Sequence, residues 1–198
     1  MKKILILFAH PAFHKSRINK RLISEVSELD NVTINNLYEK YPDFFIDVRV
    51  EQKLLIEHDI IVWHHPFYWY SAPAIIKEWM DLVLEHGFAY GMHGRALEGK
   101  WAITSISTGG RQEVYSKSGS NHFTINEFLV PFNQSANLCR MKYLPPFVIH
   151  GSHTLSEKDL EKHTKLYKKL IVSLRDEKLK ESAFDSVKYI NSLIDKDV

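Results

Sequence analysis

Lys3-Ile4-Leu5-Ile6-Leu7-Phe8-Ala9, followed directly by His10-Pro11-Ala12-Phe13-His14-Lys15-Ser16-Arg17-Ile18-Asn19, is the stretch that decides the fold. The first part is a short, nearly continuous apolar run without alternation. A strand reads this way when both of its faces are covered, which is the habit of parallel sheets. His10 and Pro11 end the run. From Ile18 to Leu29 the spacing changes to a helical one, with Ile18, Leu22, Val26 and Leu29 on one side.

The same alternation continues outward from this unit. Asn31 to Leu37 reads as a weaker second strand. Asp47 to His58 reads as a helix with Val50, Leu54 and Leu55 as its stripe. Asp59 to Trp63 is another buried strand, followed by a loop from His64 to Ala72. Pro73 suits the first turn of a helix, where its missing N–H needs no partner, and that helix runs to about Glu85. Trp101 to Ser107 is a further strand. Thr124 to Cys139 is helical but interrupted by Pro131, and Pro146 to His150 gives a last short strand. Ser156, with Asp159 three residues on, opens another helix as a capping pair.

This order predicts an α/β fold: a doubly wound, five-stranded parallel sheet with helices on both faces, over residues 1–173. Residues 174–198 form a polar helical extension or tail. In it Phe184, Val187, Ile190 and Ile194 can line one helical face, packed on the domain or offered to a partner.

Composition narrows the function classes. Lys plus Arg is 26 against 24 for Asp plus Glu, with no concentrated basic block, so a nucleic-acid partner is not expected. Cys139 is the only cysteine, which excludes an internal disulfide and fits a reducing compartment. Met1-Lys2-Lys3 and the apolar run after it are too short for a signal peptide, and no run approaches the ~20 residues that span a bilayer. The expectation is a soluble, cytoplasmic protein.

In an open parallel sheet, ligands sit beyond the carboxyl ends of the strands. Three segments there are chemically unusual. The first, His10 to Asn19, joins a strand to a helix. Free backbone N–H groups and a positive helix end suit an anion, with Ser16 and Asn19 as short hydrogen-bonding side chains and His10 and Arg17 as donors. It has no glycine, so it is neither a Walker loop nor a dinucleotide fingerprint. On its own, Ser16 is equally readable as a plain helix cap.

The second segment is His64-His65-Pro66-Phe67-Tyr68-Trp69-Tyr70-Ser71-Ala72-Pro73. Four consecutive aromatics, Phe67 to Tyr70, are costly to expose and do not follow a core period. They suit a flat aromatic ligand, or an interface between copies of the chain, or both. The third is Ser107-Thr108-Gly109-Gly110, where paired glycines let backbone approach a ligand closely. Gly91 and Gly94 read as ordinary loop residues.

The 11 histidines raise the question of a metal. His10 and His14 are separated by Pro11 and a loop, and adjacent His64 and His65 in a strand point to opposite faces. No metal-ligand motif and no nucleophile elbow is present, so no metal site and no serine nucleophile is assigned. Cys139 lies in an apolar helix, which suits an inert thiol.

Taken in order, these segments resemble the NAD(P)H:quinone oxidoreductase family of flavodoxin-like fold. The likeness is closest to the ancillary oxidoreductase subunits of glutathione-gated potassium-efflux systems and to general-stress NAD(P)H oxidoreductases. It is carried by Ala9-His10-Pro11, Ser16 to Arg21, Leu37-Tyr38 through Phe44, His65 to Ser71, His86 to Gly91, Thr108-Gly109-Gly110 and Leu144 to Phe147, within residues 3–173. The resemblance implies FMN, or FAD as in the quinone reductase branch, with NAD(P)H as hydride donor and a quinone-like acceptor. It puts the flavin phosphate at His10 and at Ser16, Arg17, Ile18 and Asn19. It puts the ring against Phe67, Tyr68, Trp69 and Tyr70 and against Ser107, Thr108, Gly109 and Gly110.

The resemblance also implies a catalytic tyrosine after the glycine pair, matched by Tyr115, and a histidine beyond it. That second position holds Asn121, with His122 beside it, so Tyr115 and His122 are the catalytic candidates. A homodimer is implied, and contact with a membrane potassium-efflux transporter would place the chain at the inner membrane face. The rivals are a regulatory module of such a transporter, a one-electron carrier, disfavoured by the slightly basic balance, and an azo or nitro reductase.

Overall fold

The computed structural model describes residues 1–195. Strands β1 (Ile4–Phe8), β2 (Val32–Asn36), β3 (Ile60–Pro66), β4 (Trp101–Ser107), β5 (Lys142–Tyr143) and β6 (Phe147–Ile149) form one parallel sheet in the order β2-β1-β3-β4-β5, with β6 also beside β4. Helices α1 (Arg17–Val26), α2 (Leu37–Lys40), α3 (Val48–Glu57), α4 (Ala74–Val83), α5 (Ile125–Phe128), α6 (Val130–Leu138), α7 (Glu157–Arg175) and α8 (Asn191–Asp195) cover it. This is the flavodoxin-like architecture.

The two-residue period of β1 explains the layers. Leu5 and Leu7 enter one core with Ile75, Trp79 and Phe132 from α4 and α6. Ile4, Ile6 and Phe8 enter the other with Leu22, Leu170 and Leu174 from α1 and α7. All five strand residues are fully buried, which is why the run is apolar throughout. The chain leaves β1 toward β2 on one side and β3 on the other. The crevice of a doubly wound sheet lies at that reversal.

Several boundaries differ from the sequence reading. β3 does not stop at Trp63: His64, His65 and Pro66 pair with Ser105, Ile106 and Ser107. The partner strand extends this far, and both histidines are buried rather than in a loop. They do face opposite ways. His64 packs edge-on against Phe8, and His65 stacks on Phe132. The last strand forms where expected, at Phe147–Ile149, and a further two-residue strand at Lys142–Tyr143 is separated from it by Pro145-Pro146, whose nitrogens cannot donate to a ladder. Pro73 caps α4 from outside, and the helix stops at Val83. α1 ends at Val26, with Leu29 packing from the turn beyond. The interruption at Pro131 is real: α5 and α6 meet at Leu129. Ser156 caps α7 as read, its Oγ accepting from Asp159 N at 3.1 Å.

In α3 the stripe is corrected. Val50 faces solvent, and Leu54 and Leu55 pack on the core with Glu51 beside them. Glu51 is fully buried. Its carboxylate accepts from Asn35 Nδ2 (2.6 Å), Lys40 Nζ (2.7 Å), Tyr41 OH (2.8 Å) and Trp79 Nε1 (2.8 Å), so β2, α2, α3 and α4 share one anion.

Beyond Arg175 the chain does not form the single amphipathic helix that the spacing allowed. A 3-10 helix at Glu181–Ser186 and the short α8 bury Phe184, Ile190 and Ile194 in the α1–α7 core. Asn191 both donates to Val148 O and accepts from Val148 N, at 3.0 Å each. The tail thereby covers the open edge of β6, whose unpaired groups would otherwise invite strand addition. Residues 196–198 of the tail lie outside the described residues.

Candidate functional site

The carboxyl ends of β1, β3 and β4 open into a cleft of about 1230 Å³. That exceeds the usual ~300–1,000 Å³ of a small-ligand pocket. Segments distant in sequence meet there: His10 and Ser16 to Asn19 after β1, Phe67 to Tyr70 after β3, and Ser107, Gly109 and Gly110 at β4.

The first segment caps α1. Ser16 Oγ accepts from Asn19 N at 3.1 Å, so its short side chain satisfies one helix-end donor. The N–H groups of Arg17 and Ile18, in the first turn, have no partner within the helix and remain for an anion. Asn19 Nδ2 donates to both Ser16 Oγ and Ser107 Oγ, at 3.1 Å each, which ties the β1 and β4 loops together and brings Ser107, expected beside the ring, to the α1 end of the cleft. Arg17 departs from its sequence role in one respect. Its guanidinium is bonded to Glu157 Oε1 and to Leu155 O at the start of α7. Lys15, another cleft residue, makes no ion pair among the described residues. His10 Nδ1 accepts from Ala12 N at 3.1 Å, and burial lowers its pKa, favouring a neutral ring with the proton on Nε2.

The aromatic segment splits into inward and outward members. Phe67 is buried between Tyr115 and Phe128. Tyr70 stacks on Phe128 at 5.1 Å and donates to Asn121 Oδ1 at 3.2 Å. Trp69 is 92% exposed. Both Trp69 (φ 50°) and Tyr70 (φ 61°) are left-handed, a strain of about 1–2 kcal/mol per residue. The sharp turn holds three rings, those of Tyr68, Trp69 and Tyr70, at the cleft rim.

At the third segment, Gly110 has a steric reason. A Cβ there would lie 2.8 Å from Val114 Cγ2 and 3.2 Å from the Tyr115 hydroxyl. A Cβ on Gly109 would meet His153 Nε2 at 3.1 Å. Among the described residues, neither glycine N–H donates to a protein acceptor. Thr108 is near the cleft without lining it: its side chain is buried, donating to Gly110 O at 2.8 Å and meeting His150 Nδ1 at 3.1 Å. It shapes the turn from behind.

Tyr115 lines the cleft with its ring backed by His150 at 5.6 Å. Burial pushes His150 down to about 4. His122 is not among the cleft residues; its left-handed backbone (φ 59°) takes it past the rim, and Ser120 and Asn121 line the wall instead. Sequence reasoning also missed Ser152 and His153. They follow β6, so the rule that selected the other three loops would have found them had it been applied to the last strand. Among the described residues, no group of three or more His, Cys, Asp or Glu side chains can hold a metal. Cys139 is buried, with its thiol pushed up to about 11.

The donor set fits a phosphorylated, flat cofactor: helix-end N–H groups and seryl hydroxyls at one end, aromatic rings and free glycine N–H groups at the other. The comparisons agree. A family described as flavodoxin-like fold matches residues 2–171. General stress protein 14 of Bacillus subtilis (strain 168) is 45% identical over 163 residues, 82% of this chain and 93% of that protein. Glutathione-regulated potassium-efflux system ancillary protein KefG of Pectobacterium atrosepticum is 44% identical over 165 residues, 83% of this chain and 90% of that one.

Among solved structures, general stress protein 14 of Treponema denticola in complex with FMN superimposes with a TM-score of 0.83 at 36% identity, covering 87% of this chain and 99% of that one. An NADPH-quinone reductase from P. pentosaceus gives 0.78 at 34%, covering 86% and 97%. A protein described as thermophilic tryptophan halogenase gives 0.83 at 39%, covering 85% and 98%. Sheet order, cleft and relatives coincide, and the chain belongs to the flavodoxin-like family of NAD(P)H:quinone oxidoreductases that includes general stress protein 14 and the KefG ancillary proteins.

Proposed function

We propose that this chain is an FMN-dependent NAD(P)H oxidoreductase that passes hydride to a quinone or a similar electrophile. The observation that carries the reading is the meeting of the β1, β3 and β4 loops in one cleft, with phosphate-type donors at one end and aromatic rings at the other. FMN is preferred to FAD because a relative at 36% identity is described in complex with FMN.

A bound flavin supplies hydride transfer between a nicotinamide and an acceptor; the protein supplies position and electrostatics. Ser16 and the first turn of α1 would hold the phosphate, with Asn19 behind them orienting the seryl hydroxyls. Tyr68, Trp69 and Tyr70 flank the ring. The N–H groups of Gly109 and Gly110, which have no protein acceptor among the described residues, would donate to the polar atoms of a bound flavin and favour negative charge on it. Tyr115 would donate a hydrogen bond from its phenolic O–H to the oxygen of the acceptor as charge develops on it. His122 serves at most as a rim residue, and Asn121 is held by Tyr70. The cleft is wide enough for donor and acceptor to bind in turn over a bound flavin, which would suit a ping-pong order. Trp69 and Tyr70, exposed beside the cleft, are the surface on which a second copy would complete each site of a homodimer. A reducing, cytoplasmic setting suits this chemistry and the lone cysteine. No helix among the described residues is long and apolar enough to cross a membrane.

The test is direct. The purified chain carries or takes up FMN with visible flavin absorbance, and oxidises NADPH with a quinone in steady state. A chain that binds no flavin refutes the reading. The ancillary names of relatives such as KefG favour a second reading, a regulatory partner of a potassium-efflux transporter at the inner membrane face. Flavin binding without turnover of any acceptor, together with co-purification with such a transporter, would select it.

A further inference from the structure

Behind the phosphate end of the cleft lies a hydrogen-bonded chain that reaches from α7 to the two seryl hydroxyls. Tyr167 OH and His64 Nδ1 are 2.8 Å apart, and His64 Nε2 and Asn19 Oδ1 are 3.0 Å apart. Asn19 Nδ2 then reaches Ser16 Oγ and Ser107 Oγ, each at 3.1 Å. Tyr167 and His64 are fully buried, and Asn19 is nearly so. Neither Tyr167 nor His64 lines the cleft.

The direction of the donors in this chain follows from counting hydrogens. The Asn19 amide nitrogen has two, and two acceptors, Ser16 Oγ and Ser107 Oγ, lie on its side. Only one group, His64 Nε2, lies on the oxygen's side. With the amide turned over, its nitrogen would face His64 alone and one buried N–H would be orphaned, a cost of about 1–3 kcal/mol. The amide oxygen therefore accepts from His64 Nε2–H. Burial pushes His64 down to about 3, so the ring is neutral and Nδ1 carries no proton. Nδ1 must accept, and Tyr167 donates to it. Burial also raises the Tyr167 pKa, so that hydroxyl keeps its proton.

The consequence falls on the serines. Ser16 Oγ accepts from Asn19 N and from Asn19 Nδ2, and Ser107 Oγ accepts from Asn19 Nδ2. Among the described residues, nothing in the protein accepts the hydrogen of either hydroxyl. Both serines line the cleft.

We propose that Tyr167 and His64 are positioning residues that polarise this chain, so that Ser16 and Ser107 both present hydrogens to the cleft and select a phosphate-bearing flavin over its dephosphorylated form. This rests on the flavin reading above. Asn19 sets the tautomer of His64, Tyr167 strengthens it by donating to Nδ1, and Asn19 leaves the seryl hydroxyls only outward acceptors. Hydrogen bonds in series polarise one another, so a donor on α7 is felt at the anion.

The experiment titrates flavin-free protein with FMN and with riboflavin, following flavin fluorescence, for the wild type and Tyr167→Phe. The wild type prefers FMN. Tyr167→Phe binds FMN about tenfold more weakly, the loss expected for one charge-assisted hydrogen bond, while riboflavin affinity stays the same. An unchanged FMN-to-riboflavin ratio overturns the proposal, whether neither affinity moves or both fall equally, since a collapsed cleft does not discriminate. In both of those cases wild-type FMN binding leaves the flavin reading standing. A wild type that binds neither flavin sinks that reading and this one together. Nitrogen-15 NMR of labelled histidine in the wild type needs no variant: the Nε2–H tautomer at His64 supports the proposal, and the Nδ1–H tautomer overturns it.

Discussion

Glu51→Gln separates the chemistry of the buried carboxylate from its shape. In the native chain Oε1 accepts from Lys40 Nζ and Tyr41 OH, and Oε2 accepts from Asn35 Nδ2 and Trp79 Nε1. A glutamine keeps the volume but offers one oxygen and one NH2. Turned toward Asn35 and Trp79, the NH2 meets an indole N–H that cannot accept, and an Asn35 amide that accepts only after turning over. Turned the other way, it can donate to Tyr41 OH, which rotates, but not to the ammonium of Lys40. The second arrangement costs less. Lys40 loses its anion, yet its side chain is 34% exposed and reaches water. The loss is then about one charge-assisted hydrogen bond, roughly 2–3 kcal/mol.

Glu51→Leu removes every acceptor. Trp79 Nε1 and Asn35 Nδ2 are left buried without partners, and the cost rises to about 3–5 kcal/mol or more. For a chain of this size each kcal/mol moves the melting temperature by about 2–4 °C, so the glutamine variant should melt about 5–10 °C below the wild type and the leucine variant lower still. Flavin-free protein is the right sample, because ligand bound only to the folded state masks part of the loss. Circular dichroism at increasing temperature and urea titration provide two independent readings. Equal losses for glutamine and leucine, or a loss below ~1 kcal/mol for either, would refute the account. Glu51 lies outside the cleft, so the FMN-to-riboflavin ratio of Glu51→Gln should equal that of the wild type.

Further outcomes follow from the same contacts. Gly110→Ala places a Cβ 2.8 Å from Val114, and the overpacking of about 1–3 kcal/mol should weaken FMN binding about tenfold in a fluorescence titration. Tyr115→Phe should keep FMN but lower kcat by about 10–100-fold in an NADPH–quinone assay, because the ring still packs on His150 while the donor is gone. Trp69→Gly should not lower the melting temperature: the ring is 92% exposed and its left-handed backbone is relieved by glycine, so a loss above ~1 kcal/mol would contradict that geometry. Acid should destabilise the chain through buried histidines. His64 is pushed down to about 3, and His65 and His150 to about 4, from an ordinary value of 6.5. The unfolded chain takes up protons below about pH 6.5 that the folded chain refuses, so stability falls from there to about pH 3–4 and is full above it. His65→Gln should flatten that slope in urea titrations at a series of pH values; an unchanged slope would show that His65 titrates normally.

Much of this molecule was legible from residue order. The apolar run Ile4 to Phe8 could only be a strand covered on both faces, and each later strand and helix repeated its logic, so order, class and the end of the sheet that carries the site followed from period and punctuation. Ser16 was readable as a cap because capping is a local event, settled within three residues. Other features depended on partners far away in sequence. His64 and His65 looked like loop residues until β4, about forty positions on, paired with them. Glu51 carries no signal in the apolar stripe of α3, and only the fold brings Asn35, Lys40, Tyr41 and Trp79 onto it. Arg17 looked free for an anion until Glu157, at the start of α7, claimed its guanidinium. His122 and Asn121 are neighbours in the chain, and only the fold puts Asn121 in the cleft wall and leaves His122, left-handed at φ 59°, out of it. The physical reason is the same throughout: burial of apolar periodicity is a short-range code, whereas the partner of a polar side chain is whatever the finished fold brings within 3 Å of it.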